Sequence, residues 1–425
     1  MKDVKYYLDQ NKEKTDYRIS EVRTESRELF FVHGKVETSR ATDTKATHVT
    51  VYCLHDGKLG DSDFDVYESM DENSILDKIA KAVERAKLVF NEPYELPSDE
   101  TLDEKMPTDL DKYDPTDLAA QIAETVFSCE TGEGGSINAL EVFLYKDTRR
   151  VRNSRGIDKS ETSYRVMIEA IPTYTTEKES VELYEDYRFT FFDREKLKKE
   201  ITEKMAQVKA RYEAQKPATP MKTMVTLRAG EIRALLSELA SGLNYGSVYM
   251  RANRFKVGDD LQEGGNGDRL NVTMKGIVEG SEDSSYFDAD GTTLRDRQII
   301  KDGVVTSYFG ANRFGRYLGE KEITGDLRCC EVGKGSLTKT ELEKTPRLDV
   351  VSMSGLQTDV YSDYIGGEIR LAYMFDGEKT FPVSGITMSG RLSEALASLR
   401  LTDDSEVEGA YKGPSRFVIK NMNIL

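Results

Sequence analysis

Two prolines near the middle of the chain divide it, and this division limits the folds that the sequence can adopt. The segment Lys216-Pro217-Ala218-Thr219-Pro220 follows a long charged stretch that Asp193 can cap and that predicts a helix. Because proline lacks an amide hydrogen and clashes with the preceding turn, this helix cannot continue. We therefore predict an N-terminal domain over residues 1–215, a linker over 216–221 and a C-terminal domain over 222–425.

The first 66 residues predict strands. Val49, Val51 and Cys53 alternate with His48, Thr50 and Tyr52, which is typical of a strand with one buried face. Asp56-Gly57 predicts a tight hairpin turn.

Helix signals follow these strands. An apolar face at helical spacing predicts a helix from Asp71 to Phe90, and Asp71 can cap its start. The polar stretch from Asn91 to Pro115 is interpreted as a connection. Asp114-Pro115 predicts the start of another helix, because a carboxylate precedes a proline at the first helical position. A second run of strands leads to the helix capped by Asp193, so we expect two units, each of antiparallel strands closed by a helix.

The C-terminal half begins with an amphipathic helix and continues mainly as strands. The helix spans Ala229 to Gly242, where the glycine can end it. Asp302-Gly303 and Asp376-Gly377 each lie between apolar runs and predict hairpins. The predicted fold class is α+β, with an N-terminal α/β domain of antiparallel sheets with helices and a C-terminal mainly-β, barrel-like domain.

The charge of the chain excludes several classes of partner. With 60 Lys+Arg against 76 Asp+Glu, the formal net charge is -16, whereas nucleic acids and anionic membranes bind positive surfaces. No apolar run is long enough to span a bilayer, and the first residues lack the apolar core of a signal peptide. These features predict a cytoplasmic protein with no direct nucleic-acid or membrane partner.

Metal ligands are scarce in this sequence. His33, His48 and His55 are its three histidines, and no spacing among them matches a metal site. The helix from Ala229 to Gly242 lacks the paired histidines of a hydrolytic metal helix such as H-E-x-x-H. We therefore predict no metal ligand and no catalytic residue in this chain.

A nucleophilic mechanism has little support. A serine or cysteine nucleophile needs a general base, and no histidine follows residue 55. Only pairing with a lysine stays open, for which Ser354, Ser389 and Cys330 are weak candidates. Cys329 and Cys330 are interpreted as strand neighbours that point to opposite faces.

Two polar clusters allow a binding and a structural interpretation. The arginines at 149, 150, 152 and 155 are suited to clamp a carboxylate or phosphate, but pairing with nearby acids is favoured. The turn Asp288-Ala289-Asp290-Gly291 resembles half of a calcium loop. It lacks the third acid and the later glutamate of that loop, so a hairpin turn is favoured.

Four stretches resemble the TldD/PmbA family. E-V-F-L-Y-K-D-T-R-R-V-R-N-S-R-G at Glu141 to Gly156 resembles the family's N-terminal hairpin with its N-S-x-G turn. Phe287 to Phe309 resembles the hairpin that precedes its R-x-L-G element. G-G-E-I-R-L-A-Y-M-F-D-G-E-K-T-F-P-V-S-G-I-T-M-S-G at Gly366 to Gly390 resembles its C-terminal signature, and Gly413 to Ile419 is similar to its last strand. The four occur in the family's order and cover most of the chain from residue 135 onward.

The resemblance implies a function. The family is known as modulators of DNA gyrase and as a two-subunit metalloprotease, in which a dimer encloses the active site and unfolded peptides are cleaved as extended strands. TldD-like subunits carry H-E-x-x-x-H on the helix after the linker and a metal-binding cysteine near the C-terminus. This chain has no histidine on that helix and no cysteine after Cys330, so it resembles the PmbA-like branch, also called TldE.

The sequence is therefore interpreted as a non-catalytic subunit that holds no cofactor, while a TldD-like partner supplies the zinc. Asn244 and Tyr245, at the end of the central helix, and Gly366, Gly367 and Glu368 are the candidates for peptide contact, because glycines let a second backbone approach. Structural turn roles stay open for all five. Two other functions stay open: a homodimeric regulatory protein acting on gyrase or a toxin–antitoxin pair, and a peptidase active alone through an unrecognised nucleophile.

Overall fold

A computed structural model describes residues 3–218 and 220–425 of the chain. Its N-terminal part contains four helices and eight strands among the described residues, together with a 3-10 turn at Leu110–Lys112. Their bounds are α1 Val4–Gln10, β1 Asp16–Val32, β2 Lys35–His55, β3 Lys58–Val66, α2 Glu72–Ala86, β4 Thr101–Lys105, α3 Pro115–Phe127, β5 Gly135–Asn153, β6 Asp158–Thr175, β7 Ser180–Glu182, β8 Glu185–Phe189 and α4 Arg194–Glu213.

The C-terminal part is richer in short strands. Its helices are α5 Ala229–Gly242, α6 Tyr245–Tyr249, α7 Asn312–Tyr317, α8 Lys339–Glu343 and α9 Leu392–Ala397. Its strands are β9 Met221–Leu227, β10 Val272–Lys275, β11 Arg297–Lys301, β12 Val304–Val305, β13 Cys329–Val332, β14 Arg347–Met353, β15 Gln357–Asp359, β16 Tyr364–Phe375, β17 Thr380–Val383, β18 Ile386–Arg391, β19 Arg400–Leu401, β20 Glu406–Glu408, β21 Tyr411–Gly413 and β22 Phe417–Ile424. No helix in the described ranges is both long and apolar enough to cross a bilayer.

One sheet, ordered β3-β2-β1-β5-β6-β4, runs through the whole N-terminal part. The expectation of two separate units is wrong, because β1 pairs with β5 from Arg18↔Asn153 to Val32↔Ala139 and joins them. Without this pairing, β1 and β5 would each present a row of unpaired backbone N–H and C=O groups. The hydrogen bonds between the two strands satisfy both rows. The described pairings are antiparallel except for the short β4, which runs parallel to β6.

All four N-terminal helices cover one face of this sheet. Alternate side chains of β1, among them Ile19 and Leu29, point to that face. Ile19 packs with Leu8 of α1 and Ile79 of α2, whereas Leu29 packs with residues of α3 and α4 such as Ile122. The amphipathic helices thus bury their apolar stripes against one continuous apolar surface.

The helix starts were predicted well and one helix end was not. Asp71, Asp114 and Asp193 each accept a backbone hydrogen bond at the start of α2, α3 and α4, which confirms the three predicted caps. The helix predicted to reach Phe90 ends at Ala86. The helix ends there because the segment that follows it is held against β3, where Leu59 and Asn91 exchange backbone hydrogen bonds of 2.9 and 3.3 Å.

Three further expectations for the N-terminal part are corrected. The first 66 residues contain the helix α1, and the connection from Asn91 to Pro115 contains β4 and a 3-10 turn. Thr50 and Tyr52 were expected on an open face, yet both are buried. The segment after α2 covers this face, since Leu96 packs on Tyr52.

The C-terminal part contains the predicted barrel. Strands β14, β9, β22, β18 and β16 pair in that order, and β16 pairs with β14 to close the ring. A second sheet, ordered β12-β11-β10-β13-β21-β20, lies beside it. Asp302 and Gly303 form the predicted tight turn between β11 and β12, with φ of 48° and 76°. The Asp376-Gly377 hairpin has four residues between its paired ends, Phe375 and Thr380.

The chain changes sheets at the predicted boundary region. The strands before α4, β1 to β8, belong to the N-terminal sheet, and β9, after α4, is the first strand of the barrel. Just before it, Gln215 donates a backbone hydrogen bond of 3.1 Å to Pro382 and so contacts the barrel hairpin. The domain limits 1–215 and 222–425 stay a prediction.

Candidate peptide-binding surface

Helix α5 is the central helix of the C-terminal part. Its inward stripe of Ile232, Leu235, Leu236 and Leu239 is buried in a core that also contains barrel and second-sheet residues. The predicted bounds Ala229–Gly242 are confirmed. This stripe fixes α5 between the two sheets, so the residues that follow it emerge at a defined place.

Asn244 and Tyr245 form the junction between α5 and α6. Asn244 caps α6, because its side-chain oxygen accepts a hydrogen bond of 2.9 Å from the amide of Gly246. Its side-chain amide lies 3.4 Å from the Oδ1 atom of Asp326. Asn244 is half-buried, so part of its side chain reaches solvent.

Tyr245 is 0% exposed. Its backbone amide donates a hydrogen bond of 2.6 Å to the carbonyl of Phe309, and its ring packs beside Gly315. Burial raises the pKa of its phenol. The side chain therefore anchors the junction, and Asn244 is the member of the pair that solvent can reach.

Gly366, Gly367 and Glu368 lie in barrel strand β16, where they pair with β18 from Ser389 to Thr387. A methyl group at Gly366 would lie 2.5 Å from the carbonyl oxygen of Met388, and one at Gly367 would lie 2.5 Å from that of Gly355. The space that these glycines leave open is therefore occupied by the backbone of the same chain, at Met388 and Gly355.

Glu368 is the exposed member of this group. Its carboxylate accepts a hydrogen bond of 3.1 Å from the Ser354 hydroxyl, and its carbonyl accepts one of 3.0 Å from the Ser354 amide. Within the described residues no hydrogen bond joins this group to Asn244 or Tyr245. The structure thus brings the five candidates together as two groups.

Exposed apolar side chains lie on the segments next to the two groups, in α6 and in the β15–β16 loop. We call them the Tyr249–Tyr361 surface; its members Tyr249, Met250 and Tyr361 are 42%, 65% and 62% exposed. The Tyr361 hydroxyl donates a hydrogen bond to the carbonyl of Ala252, so the β15–β16 loop contacts the chain that leaves α6. No sequence signal identified it, because periodicity predicts which side chains of a long helix are buried but not which apolar ones stay exposed in a one-turn helix or a loop.

The side chains present do not fit a resident zinc ion. The histidines lie in or beside β2 of the N-terminal sheet, where His33 and His55 are exposed and the half-buried His48 contacts Asp65 at 2.9 Å. Helix α5 offers only glutamates as donors, and its inward face is apolar. Among residues 3–218 and 220–425 no three His, Cys, Asp or Glu side chains are grouped to hold a metal.

The candidate nucleophiles lack an activating neighbour of the expected kind. Cys329 and Cys330 point to opposite faces of β13, as predicted, and both are buried. Burial raises the pKa of both thiols, that of Cys330 to about 12, which disfavours a reactive thiolate. Ser354 contacts a carboxylate rather than a lysine.

The two polar clusters have structural partners. The four arginines of the cluster all form ion pairs, Arg149 with Glu161 at 2.9 Å and Arg150 with Asp158 at 2.8 Å among them. The oxygen Oδ1 of Asp288 accepts backbone hydrogen bonds from residues 290 and 292, which is the geometry of a turn. Burial, followed by the neighbouring carboxylate of Asp290, raises the pKa of Asp288 to about 6.

Comparisons with known proteins agree with this architecture. Residues 220–425 match the profile of the PmbA/TldA metallopeptidase C-terminal domain. The metalloprotease PmbA of Escherichia coli O157:H7 is 23% identical over 402 residues, which cover 88% of this chain and 84% of that protein.

Two solved structures share the fold. TldE of Thermococcus kodakarensis superposes with a TM-score of 0.83 at 13% identity, over 99% of this chain and 100% of that one. A Thermotoga maritima protein, whose name proposes a role as modulator of a DNA gyrase, superposes with a TM-score of 0.75 at 15% identity, over 96% of each chain. With the four sequence stretches in the same order, the chain belongs to the TldD/PmbA family.

Proposed function

We propose that this chain is a non-catalytic, PmbA-like subunit of a two-subunit metalloprotease that acts on unfolded peptides or small proteins. The observation that carries the proposal is the composition of α5, Ala229–Gly242. This helix follows the linker in a metallopeptidase C-terminal domain, yet it presents leucines and an isoleucine where a hydrolytic helix needs imidazoles. The zinc and its activated water are therefore assigned to a TldD-like partner subunit, and we place the complex in the cytoplasm.

The role of this chain in the complex is to hold peptide. An extended peptide is recognised by backbone hydrogen bonds together with pockets or apolar surface for its side chains. Glu368 supplies an exposed polar group and Asn244 a half-buried one, and the Tyr249–Tyr361 surface on the neighbouring segments supplies apolar area. Tyr245, Gly366 and Gly367 hold these groups in place through their own packing.

Reconstitution tests the proposal. The purified chain, a TldD-like homologue from the same organism and their mixture are each incubated with an unfolded peptide, and zinc is measured in each protein after dialysis. We expect cleavage by the mixture, its loss on chelation, and no cleavage by this chain alone. One tightly bound zinc per copy of this chain, or cleavage by it alone that resists chelator, would refute the proposal.

A pair of variants tests the surface. Glu368→Gln removes the charge at the exposed position on β16, and we expect it to raise the KM of the mixture about three- to tenfold because a charged hydrogen-bond acceptor is lost. Glu378→Gln, at an exposed carboxylate in the β16–β17 turn, is the matched control and should leave KM unchanged. If both variants have the same KM, Glu368 does not contact the peptide.

A second candidate function follows from the structural neighbour named as a gyrase modulator. In that case the chain would act by contact with another protein, because its net charge of -16 disfavours direct binding to DNA. A mixture that cleaves no peptide, combined with a measurable change in the supercoiling activity of purified gyrase, would favour this function over the first.

A further inference from the structure

Half of strand β2 is an unpaired sheet edge. Residues 47–55 of β2 pair with β3, but residues 35–46 have β1 on one side and no strand on the other within the described chain. All residues from 35 to 46 are exposed except Thr42, which is half-buried. At about 3.4 Å per residue, this edge is about 40 Å long.

The register shows which backbone groups point outward. The two-residue turn between β2 and β3 is closed by the pair His55↔Lys58, and such a closing pair exchanges hydrogen bonds. Odd-numbered residues of β2 therefore bond to β3 and even-numbered ones to β1. The Tyr52 carbonyl and the Leu54 amide accordingly bond to Thr15, on the β1 side. Because the β1–β2 register is constant from Thr38 to Tyr52, the backbone groups of Ser39, Ala41, Asp43 and Lys45 face the free edge.

The composition of this edge suits strand pairing. Residues 35–46 read K-V-E-T-S-R-A-T-D-T-K-A, without proline and with three threonines, whose branched side chains favour strands. Most of its charged side chains are drawn toward β1: Asp43 accepts two hydrogen bonds from Arg23, and Arg40 pairs with Glu28. An edge of this length and composition is a template for another strand.

We propose that this edge pairs antiparallel with the same edge of a second copy of the chain, around a two-fold axis at Ala41. In this register Ser39 lies opposite Asp43 of the partner, and the outward backbone groups of both face each other. Ala41 lies opposite itself, and the three pairs exchange about six backbone hydrogen bonds. A two-fold axis makes every contact occur twice, so the surface must be complementary to itself.

Charge complementarity favours this register. An axis at residue 39 would pair Lys35 with Asp43, but that carboxylate already accepts hydrogen bonds of 2.9 and 2.7 Å from Arg23, whereas Lys45 lies 3.4 Å from its nearest carboxylate, Glu21. Glu37, at the bulge in β2, lies opposite Lys45 of the second copy, and the symmetric pair repeats the contact. Shifting the axis to residue 40 would place Arg40 opposite Arg40 and Glu37 opposite Asp43, and like charges directly opposite are destabilising. Shifting it to residue 42 removes the Glu37–Lys45 pairs without replacing them.

Charge reversal tests the register. Glu37→Lys places lysines opposite each other twice, so we expect the dimer dissociation constant to rise about tenfold at low salt. The double variant Glu37→Lys/Lys45→Glu restores opposite charges and should return the constant to the wild-type value. Lys12→Glu, at an exposed site away from the edge, controls for net charge. Ala41→Pro should abolish dimers while sparing the β1 ladder, because the Ala41 amide points outward.

Sedimentation of the full chain from about 1 to about 100 µM measures association, and hydrogen exchange locates it. We expect peptides covering residues 39–45 to gain protection as concentration rises. A chain that stays monomeric over this range, or a dimer that Glu37→Lys and Ala41→Pro leave intact, would overturn the inference. The inference does not rest on the proposed function, because this assay uses the chain alone and scores no peptide cleavage.

Discussion

Replacing Gly366 by alanine distinguishes two roles for the glycines of β16. One role is to let a bound peptide approach, and the other is to let the chain's own strands pack. The added methyl group would lie 2.5 Å from the Met388 carbonyl oxygen, well inside normal van der Waals contact. Met388 belongs to β18, which is paired with β16 on one side and β22 on the other.

The expected cost follows from this confinement. Because β18 is held in a closed barrel, its backbone can yield little, and overpacking of this kind costs about 1–3 kcal/mol. We therefore expect Gly366→Ala to lower the free energy of unfolding by about 2 kcal/mol. Gly242→Ala is the matched control, since a methyl group there meets no atom within 4 Å. At this end of α5 the change should be neutral or stabilise by up to about 1 kcal/mol.

Urea unfolding gives the free energy of unfolding of both variants. It is followed by far-ultraviolet circular dichroism rather than tryptophan fluorescence, because the chain has 22 tyrosines but no tryptophan. If Gly366→Ala is as stable as the wild type yet lowers peptide cleavage by the reconstituted complex, the packing argument is refuted and the glycine serves peptide approach.

Two further predictions concern buried charge. Arg149→Met leaves the buried carboxylate of Glu161 without its ion-pair partner and should destabilise the fold by about 3 kcal/mol in urea unfolding. Arg150→Met, which removes the exposed pair with Asp158, should cost less than about 1 kcal/mol, and equal losses would contradict this reasoning. The pKa of Asp288 is about 6 in the folded chain against an ordinary 3.8, so the folded state holds the proton to higher pH. Its contribution to stability is full below pH 3.8 and is lost as the pH rises to about 6, a loss of up to about 3 kcal/mol. Asp288→Asn should flatten this part of the stability-versus-pH curve, and an unchanged slope would exclude Asp288 as its source.

Features that depend on neighbouring residues could be predicted from the sequence. The caps at Asp71, Asp114 and Asp193 follow from side-chain chemistry within one turn, and the bounds of α5 follow from its apolar stripe and the glycine at its end. The barrel was predicted only as a class, because alternation along a strand does not specify its partner.

Features that depend on distant residues could not be predicted. The pairing of β1 with β5 joins residues more than 100 positions apart, and the end of α2 is set by a backbone bond between Leu59 and Asn91. The same limit applies to the site. Its glycines were noted for close approach, but only the fold shows that Met388 and Gly355 already occupy that space.

The most direct test of the proposed function is to purify the tagged chain from its native cells and identify bound proteins by mass spectrometry. We expect a homologue carrying H-E-x-x-x-H to be recovered in equal amount, because α5 of this chain supplies no imidazole for the metal. Recovery of the chain alone, with such a homologue present in the lysate but unbound, would contradict the assignment to a two-subunit protease.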